Sequence, residues 1–273
     1  MYNGIYEAKM TEEEMANFYE GKYNYDFGLK ENQYFLVEDL AGNILDEYKF
    51  SDGNLQKIKY ETIDSVDVGL VKPRNIKQRL YFDLLTSDIP LKVVTGNAGS
   101  GKSYLATAWA LQQVYEGKFD KLVVIKPNFN VDSIPDIGAL PGDINDKLRE
   151  HCAFISDIVS PMAFDKLIAD GRIEMVYLGT IRGRSLAKSI VLCSEAQNLD
   201  TKLVKTIVTR IGEGSVLIFD YDLAQIDVDN FQEDNGMRSL VESLAGEKLF
   251  GMVELDRIER SAVARLAEKI KKY

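Results

Sequence analysis

The sequence predicts an α/β fold, a doubly wound parallel sheet preceded by a small β module. Three observations lead there. From Pro73 onward, short apolar runs of strand length alternate with segments of helical period, the pattern of a parallel sheet covered by helices on both faces. One of these strands and one of these helices meet at a glycine loop, residues 96–101. Before Pro73 the apolar runs are closely spaced and parted by turn residues, and residues 1–70 hold 15 acidic and 6 basic side chains against 28 and 27 in the remainder. The chain therefore divides into an acidic β-rich module over 1–72 and an α/β domain over 73–273.

Composition narrows the function classes. The chain has 273 residues, 45% hydrophobic and 28% charged, with a formal charge of −10; that balance supports a sizeable core and excludes wholesale disorder. No apolar run approaches the ~20 residues that span a bilayer, and residues 1–15 lack the basic and apolar regions of a signal peptide. The expected location is the cytoplasm, with no membrane partner. Cys152 and Cys193 are the only cysteines and His151 the only histidine, which excludes a disulfide framework, a zinc finger and chemistry built on several histidines. The acidic region is no phosphate-backbone binder, whereas the near-neutral remainder has room for local basic patches.

Along the chain, residues 11–19 read as an acidic helix. Residues 33–38 and 43–50, parted by the turn 39–42, read as a β-hairpin, and a second turn at 51–54 leads to residues 57–60, making a small antiparallel module that packs on the α/β domain. The α/β region offers helices at 75–85, 102–115, 143–158, 201–210, 237–244 and 261–272. Its strands fall at 91–95, 121–126, 173–177, 189–193, 215–219 and 249–255. There is no internal repeat.

Gly96-Asn97-Ala98-Gly99-Ser100-Gly101-Lys102-Ser103 matches G-x-x-x-x-G-K-[ST] between the strand LKVVT and the helix KSYLATAWALQQVY, the context that a phosphate-binding P-loop requires. Glycines let successive backbone N–H groups point inward around phosphate oxygens, and the helix N-terminus adds partial positive charge. Lys102 is placed to reach the β- and γ-phosphates and the Ser103 hydroxyl to bind Mg²⁺. Upstream, Gln78 offers an acceptor and two donors that suit an adenine edge, although a surface Gln near a helix start is the commoner case.

At this point the sequence resembles the PhoH family of P-loop NTPases, whose RecA-like core is similar to that of superfamily 1 helicases. The resemblance runs from about Pro73 to the C-terminus. It rests on Asn75 and Gln78, on the P-loop, and on Lys126-Pro127 with Ile137-Gly138-Ala139-Leu140-Pro141-Gly142-Asp143. It continues through Arg182-Gly183-Arg184-Ser185-Leu186, Ser194-Glu195-Ala196-Gln197-Asn198, Val208-Thr209-Arg210-Ile211-Gly212, Asp222-Leu223-Ala224-Gln225-Ile226-Asp227 and Ile258-Glu259-Arg260-Ser261. The hairpin region also looks like the β segment that precedes the ATPase in longer members, which begin with a PIN nuclease domain; this chain is expected to be a PhoH-like protein without that domain.

The resemblance implies ATP and Mg²⁺ as cofactors, with Asn75 and Gln78 facing the adenine. Glu195, following the strand SIVLC, would orient and deprotonate the attacking water. Gln225 would sense the γ-phosphate or that water. Arg182, Arg184, Arg210 and Arg260 are candidates for stabilising charge on the transferred phosphoryl group, Arg210 and Arg260 standing on the best-matched motifs. One departure matters: Ser194 occupies the place of the family's metal-holding Asp and cannot supply its charge. Asp220 and Asp222 end the strand SVLIF, which in this fold class lies between the P-loop strand and the Glu195 strand, so Asp220 is expected to take over the lost role. The metal candidates are Ser103, Asp220 and Asp222.

After Asp222 only about 50 residues remain, well short of a second nucleotide-closing domain of ~100 residues. The missing wall is therefore expected from another copy, and the resemblance points to a hexameric ring with an arginine acting in trans. The leading expectation is an ATPase ring that remodels nucleic acid, RNA first, through Lys126 and the Arg182-Gly183-Arg184 loop. The alternative is a nucleotide-binding scaffold with weak or no hydrolysis, which Ser194 favours. A small-molecule P-loop kinase is disfavoured by the motor-like E-A-Q-N and D-x-x-Q motifs.

Overall fold

The computed structural model describes residues 1–22, 26–127, 152–226 and 235–259. It opens with a four-stranded sheet of β1 (Ile5–Lys9), β2 (Tyr34–Glu38), β3 (Ile44–Ser51) and β4 (Asn54–Lys57), hydrogen-bonded in that order. The helix α1 (Glu12–Tyr19) starts at a capping box in which Thr11 and Glu14 satisfy each other's backbone N–H groups. β2 and β3 form the expected hairpin, and β3 pairs antiparallel with β4. β1, however, lies parallel to β2, so the module is a mixed sheet and not a purely antiparallel one. The strand IYEAK gives no strand signal in the sequence because only Ile5 and Ala8 of it face inward, which breaks the two-residue alternation.

One face of this sheet stacks Phe35 against Tyr6 and Phe18, with ring centroids 5.8 Å apart in each pair. The other face carries Ile5, Tyr34 and Leu36 into the same apolar cluster as Leu80, Tyr81 and Leu84 of α2 (Ile76–Thr86). Polar ties reinforce the seam. The Tyr34 hydroxyl donates to Asp83 at 2.7 Å, and Asn32 Nδ2 donates to the carbonyls of Lys248 and Phe250, both at 3.0 Å. A short hairpin of β5 (Ile63–Ser65) and β6 (Gly69–Val71) then delivers the chain to Pro73.

The central sheet has six strands, all parallel: β7 (Leu91–Gly96), β8 (Lys121–Ile125), β9 (Ile173–Val176), β10 (Ser189–Cys193), β11 (Val216–Tyr221) and β12 (Phe250–Leu255). Their spatial order is β12-β7-β11-β10-β8-β9. Alternate residues of each strand feed opposite cores. Val94, Leu122, Val124, Ile190, Leu192 and Ile218 pack with α2, α3 (Lys102–Tyr115), α4 (Ala153–Val159) and α5 (Pro161–Ala169). Val93, Val123, Ile125, Val191, Leu217 and Phe219 pack with α6 (Thr201–Val208) and α7 (Gly236–Leu244). This is the doubly wound α/β arrangement that the sequence predicts.

Two boundaries differ usefully from the sequence reading. β11 runs two residues beyond its expected end, through Asp220, which pairs with Val94 of β7 and is 3% exposed. α5 is an additional helix: it begins with Pro161 at its first turn and Ser160 as N-cap, a start signal that the apolar run before it masks in the sequence. Of the expected helix 143–158 only the part from Cys152 falls among the described residues, and it is helical from Ala153. The expected helix 261–272, the segment 137–143, His151, Asp227 and Arg260 lie outside them. Among the described residues no helix is long and apolar enough to cross a membrane.

Lys92 on β7 is a buried lysine at the end of α2. Its Nζ donates to the Leu84 and Ser87 carbonyls at 2.6 and 2.7 Å and to Ser87 Oγ at 3.2 Å, and it lies 5.7 Å from the Trp109 ring centre. Burial, aided by Lys49 and opposed by Asp83 and Asp88, pushes its pKa down to about 7. The unfolded chain, with an ordinary lysine pKa near 10.4, then holds a proton that the folded chain lacks at any pH between these values. Stability relative to Lys92→Met should therefore rise as pH rises from about 7 towards 10, with a slope of up to ~1.4 kcal/mol per pH unit. Urea unfolding of both proteins across that range checks this; parallel curves would refute it.

Candidate nucleotide-binding site

Parallel strands place their C-terminal ends on one edge, and here β7, β11 and β10 end side by side. A cleft of about 770 Å³ opens at that edge, where open α/β sheets hold their ligands. Its floor is the turn from β7 into α3. Gly96 has φ +136°, and a Cβ there would lie 1.9 Å from the Leu255 carbonyl oxygen of the neighbouring β12. Gly101, the N-cap of α3, has φ +98°. The loop's conformation thus depends on glycine at both ends. Ala98, Gly99, Gly101, Lys102 and Ser103 line the cleft, while Ser100 is buried behind them. Lys102 Nζ donates to the loop's own carbonyls, Gly96 at 2.5 Å and Asn97 at 3.1 Å.

The wall opposite Ser103 is built from β10 and β11. Cys193 pairs with Phe219, so the next residues, Ser194 and Asp220, face each other across the ladder. Ser194 Oγ donates to Asp220 Oδ1 at 3.1 Å, and the Glu195 backbone N–H donates to the same oxygen at 3.2 Å. Asp220 Oδ2 is buried with no hydrogen-bond partner. Burial raises the pKa of this carboxyl, while the Lys102 charge and the nearby Ser103 hydroxyl oppose the rise. The expectation that the SVLIF strand lies between the P-loop strand and the Glu195 strand is met.

A divalent cation fits this corner. A buried carboxylate oxygen without a donor, facing a P-loop hydroxyl, is the hard oxygen chemistry that Mg²⁺ accepts, and Ser194 completes the carboxylate's other side. Asp222 is placed differently. Its Oδ1 accepts from the Ala224 N–H at 3.0 Å and its Oδ2 from the Gln225 side-chain amide, so the structure uses this residue to cap the short 3-10 turn Leu223–Gln225. Both of its carboxylate oxygens thus accept hydrogen bonds within their own turn.

Glu195 projects into the cleft from a left-handed backbone, φ +61°, a conformation that costs a non-glycine residue energy and concentrates at functional sites. Its Oε2 accepts from Gln197 Nε2 at 2.8 Å, and its Oε1 lies 3.8 Å from Lys126 Nζ. Gln225 lines the same cleft. At the far end, Gln78 donates to the Ser100 carbonyl at 3.0 Å and accepts the Arg74 N–H at 2.8 Å, so it braces α2 against the P-loop as well as lining the cleft. Asn75 caps α2 and donates to Glu259 Oε1 at 2.6 Å, and the Glu259 N–H donates to the Gly99 carbonyl at 2.9 Å. Sequence reasoning gives Glu259 no role; its part shows only once the segment after β12 is seen to cross the P-loop.

Among the described residues, none of the candidate arginines lines this cleft. Arg210 follows α6 on the approach to β11, and its carbonyl accepts from Leu186 ahead of β10, so it lies at the N-terminal edge of the sheet. A six-residue strand separates that edge from the P-loop edge, about 20 Å at ~3.3 Å per residue. An arginine side chain cannot bridge that distance, so Arg210 stands apart from its own chain's P-loop. Arg184 pairs with Glu174 at 2.6 Å, and neither it nor Arg182 lines the cleft. Lys126, a candidate for nucleic-acid phosphates, has its Nζ 3.8 Å from Glu195 Oε1 and 5.9 Å from the Phe154 ring centre.

The family profile described as PhoH-like protein matches residues 70–272. The chain belongs to the PhoH family. It is 33% identical to Protein PhoH2 of Bacillus subtilis over 98% of this chain and 64% of that protein. It is 34% identical to Protein PhoH2 of Mycolicibacterium smegmatis over 73% and 47% of the respective chains. With the PhoH-like protein of Synechocystis it shares 28% identity over 73% and 62%. The chain thus spans about half to two thirds of the length of these relatives. The matched span includes the P-loop and the cleft it floors.

The closeness of β12 to the P-loop sets a stability test. Gly96→Ala should destabilise the fold by more than about 2 kcal/mol, because the new methyl meets a backbone carbonyl and the φ is forbidding. Urea denaturation measures it; a change within ~0.5 kcal/mol would show that β12 does not press on the loop.

Proposed function

We propose that this PhoH protein binds ATP with Mg²⁺ and hydrolyses it, as an oligomeric ring that remodels RNA or single-stranded nucleic acid in the cytoplasm. The observation that carries the hydrolytic part is the convergence of Lys102, Ser103, Asp220, Glu195 and Gln225 on one cleft. Phosphates lie against the loop's N–H groups and the start of α3, and Lys102 exchanges the loop carbonyls for phosphate oxygens. Asp220, with Ser103, holds the cation, which when bound offsets phosphate charge. Glu195 takes the proton of the attacking water, and Gln225 orients that water or reads the γ-phosphate.

The ring is supported by Arg210. An arginine remote from its own cleft, on the best-matched motifs of a family resemblance, suits a neighbour's site, where a guanidinium stabilises developing phosphoryl charge. Nucleic-acid remodelling rests on the helicase-like core that the family resemblance implies. A second reading, a nucleotide-responsive scaffold with weak turnover, is favoured by one observation: Ser194 stands where the family's metal-holding acid is expected.

Phosphate release with and without RNA or single-stranded DNA separates the readings. Stimulation supports the remodelling ATPase, basal turnover alone supports an ATPase of another purpose, and ATP binding without turnover supports the scaffold. Lys102→Ala should weaken ATP binding at least tenfold, and Asp220→Asn should remove the Mg²⁺ dependence of that binding, with Ser194→Asp restoring part of it in the same background. Unchanged Mg²⁺ dependence in Asp220→Asn would defeat the metal assignment. Sedimentation with ATP should show assemblies larger than a monomer at micromolar concentration, and Arg210→Ala should lower turnover without weakening ATP binding; a fully active monomer would overturn the ring.

A further inference from the structure

We propose that Gln197 is a positioning residue that ties the Glu195 carboxylate to the Asp222–Gln225 turn, so that the proton acceptor and the phosphate-sensing turn move as one unit. Gln197 is 1% exposed. A glutamine amide offers two N–H donors and an acceptor oxygen, and both kinds of group are engaged here. Nε2 donates to Glu195 Oε2 at 2.8 Å and to the Gln225 carbonyl at 3.3 Å, while Oε1 accepts the Asp222 N–H at 3.1 Å. Its main-chain carbonyl accepts from Asn235 Nδ2 at 2.9 Å, and Asn235 Oδ1 in turn accepts the Met237 and Arg238 N–H groups at the start of α7, both at 3.1 Å.

One residue therefore joins the end of β10, the end of β11 and the start of α7. This is more than packing demands. An apolar residue of the same volume would fill the space but leave the Glu195 carboxylate held on one side only, by Lys126 at 3.8 Å. It would also leave the buried Asp222 N–H without its acceptor, and buried amides are almost always paired. Because Asp222 in turn holds the Gln225 side chain, a shift of the sensing turn is passed through Gln197 to the carboxylate that faces the water. Misplacing such a group by ~1 Å can cost on the order of a hundredfold in rate.

The inference rests on the hydrolytic reading of the cleft, and its test separates the two. Two variants are compared with the parent protein by steady-state ATP turnover, by ATP affinity and by hydrogen exchange of the Asp222 amide. Gln197→Met keeps the volume and removes every amide bond; kcat should fall tenfold or more while ATP affinity stays within ~2-fold, and Asp222 should exchange faster. Gln197→Glu keeps an acceptor for the Asp222 N–H but sets a carboxylate against Glu195; Asp222 should stay protected while kcat falls at least as far. Parent-like turnover in either variant, or equal loss of ATP affinity and kcat in both, overturns the positioning role. A parent protein that binds ATP without hydrolysing it overturns the hydrolytic reading, and the coupling role with it.

Discussion

Burial of the Asp220 carboxylate at the end of β11 is the constraint that organises the cleft. A carboxylate removed from water is costly unless charges or donors compensate, and here the compensation is uneven. Oδ1 has the Ser194 hydroxyl and the Glu195 N–H, whereas Oδ2 has neither donor nor solvent. Lys102 and Ser103, both on the P-loop, lead the opposition to the rise that burial imposes on its pKa. The carboxylate, the loop lysine and the loop hydroxyl therefore form one electrostatic unit.

The same unit explains how the chain accommodates Ser194. A serine at the end of β10 cannot carry charge, but the facing position on the adjacent strand is only one ladder step away. Parallel pairing puts Asp220 there and turns the serine hydroxyl into a donor for it. The serine hydroxyl and the acid thus share one corner of the cleft.

Around this corner the cleft is held by structure drawn from distant parts of the chain. Glu259 binds the P-loop carbonyl of Gly99 and the cap of α2, and Lys77 on α2 bridges Asp256 at 2.9 Å and Glu7 of β1 at 3.2 Å. The N-terminal module is thereby connected to the segment that crosses the loop. Its inner face shares a core with α2, while its acidic side chains stay mostly at the surface, which accounts for a strongly negative module packed on a near-neutral domain.

Much of this is legible in the residues. The sheet-and-helix alternation, the P-loop and its flanking strand and helix, and the β2–β3 hairpin come from patterns that local physics enforces: period-2 burial, period-3.6 burial, and glycines where only glycine fits. What stays hidden depends on chain segments far apart in sequence. β1 pairs parallel to β2 with a broken pattern, the Gln197 bridge joins three elements, and Glu259 lies about 160 residues from the loop it touches. Arg210 shows the limit most directly: its motif announces a phosphate role, but only the direction of β11 reveals that a whole strand length stands between it and its own P-loop. The sequence by itself determined which chemistry is present, because side-chain type and local spacing are written in it. The tertiary structure alone decided which of those groups share a cleft, because that depends on strand order and register, and these are set by the packing of two cores at once.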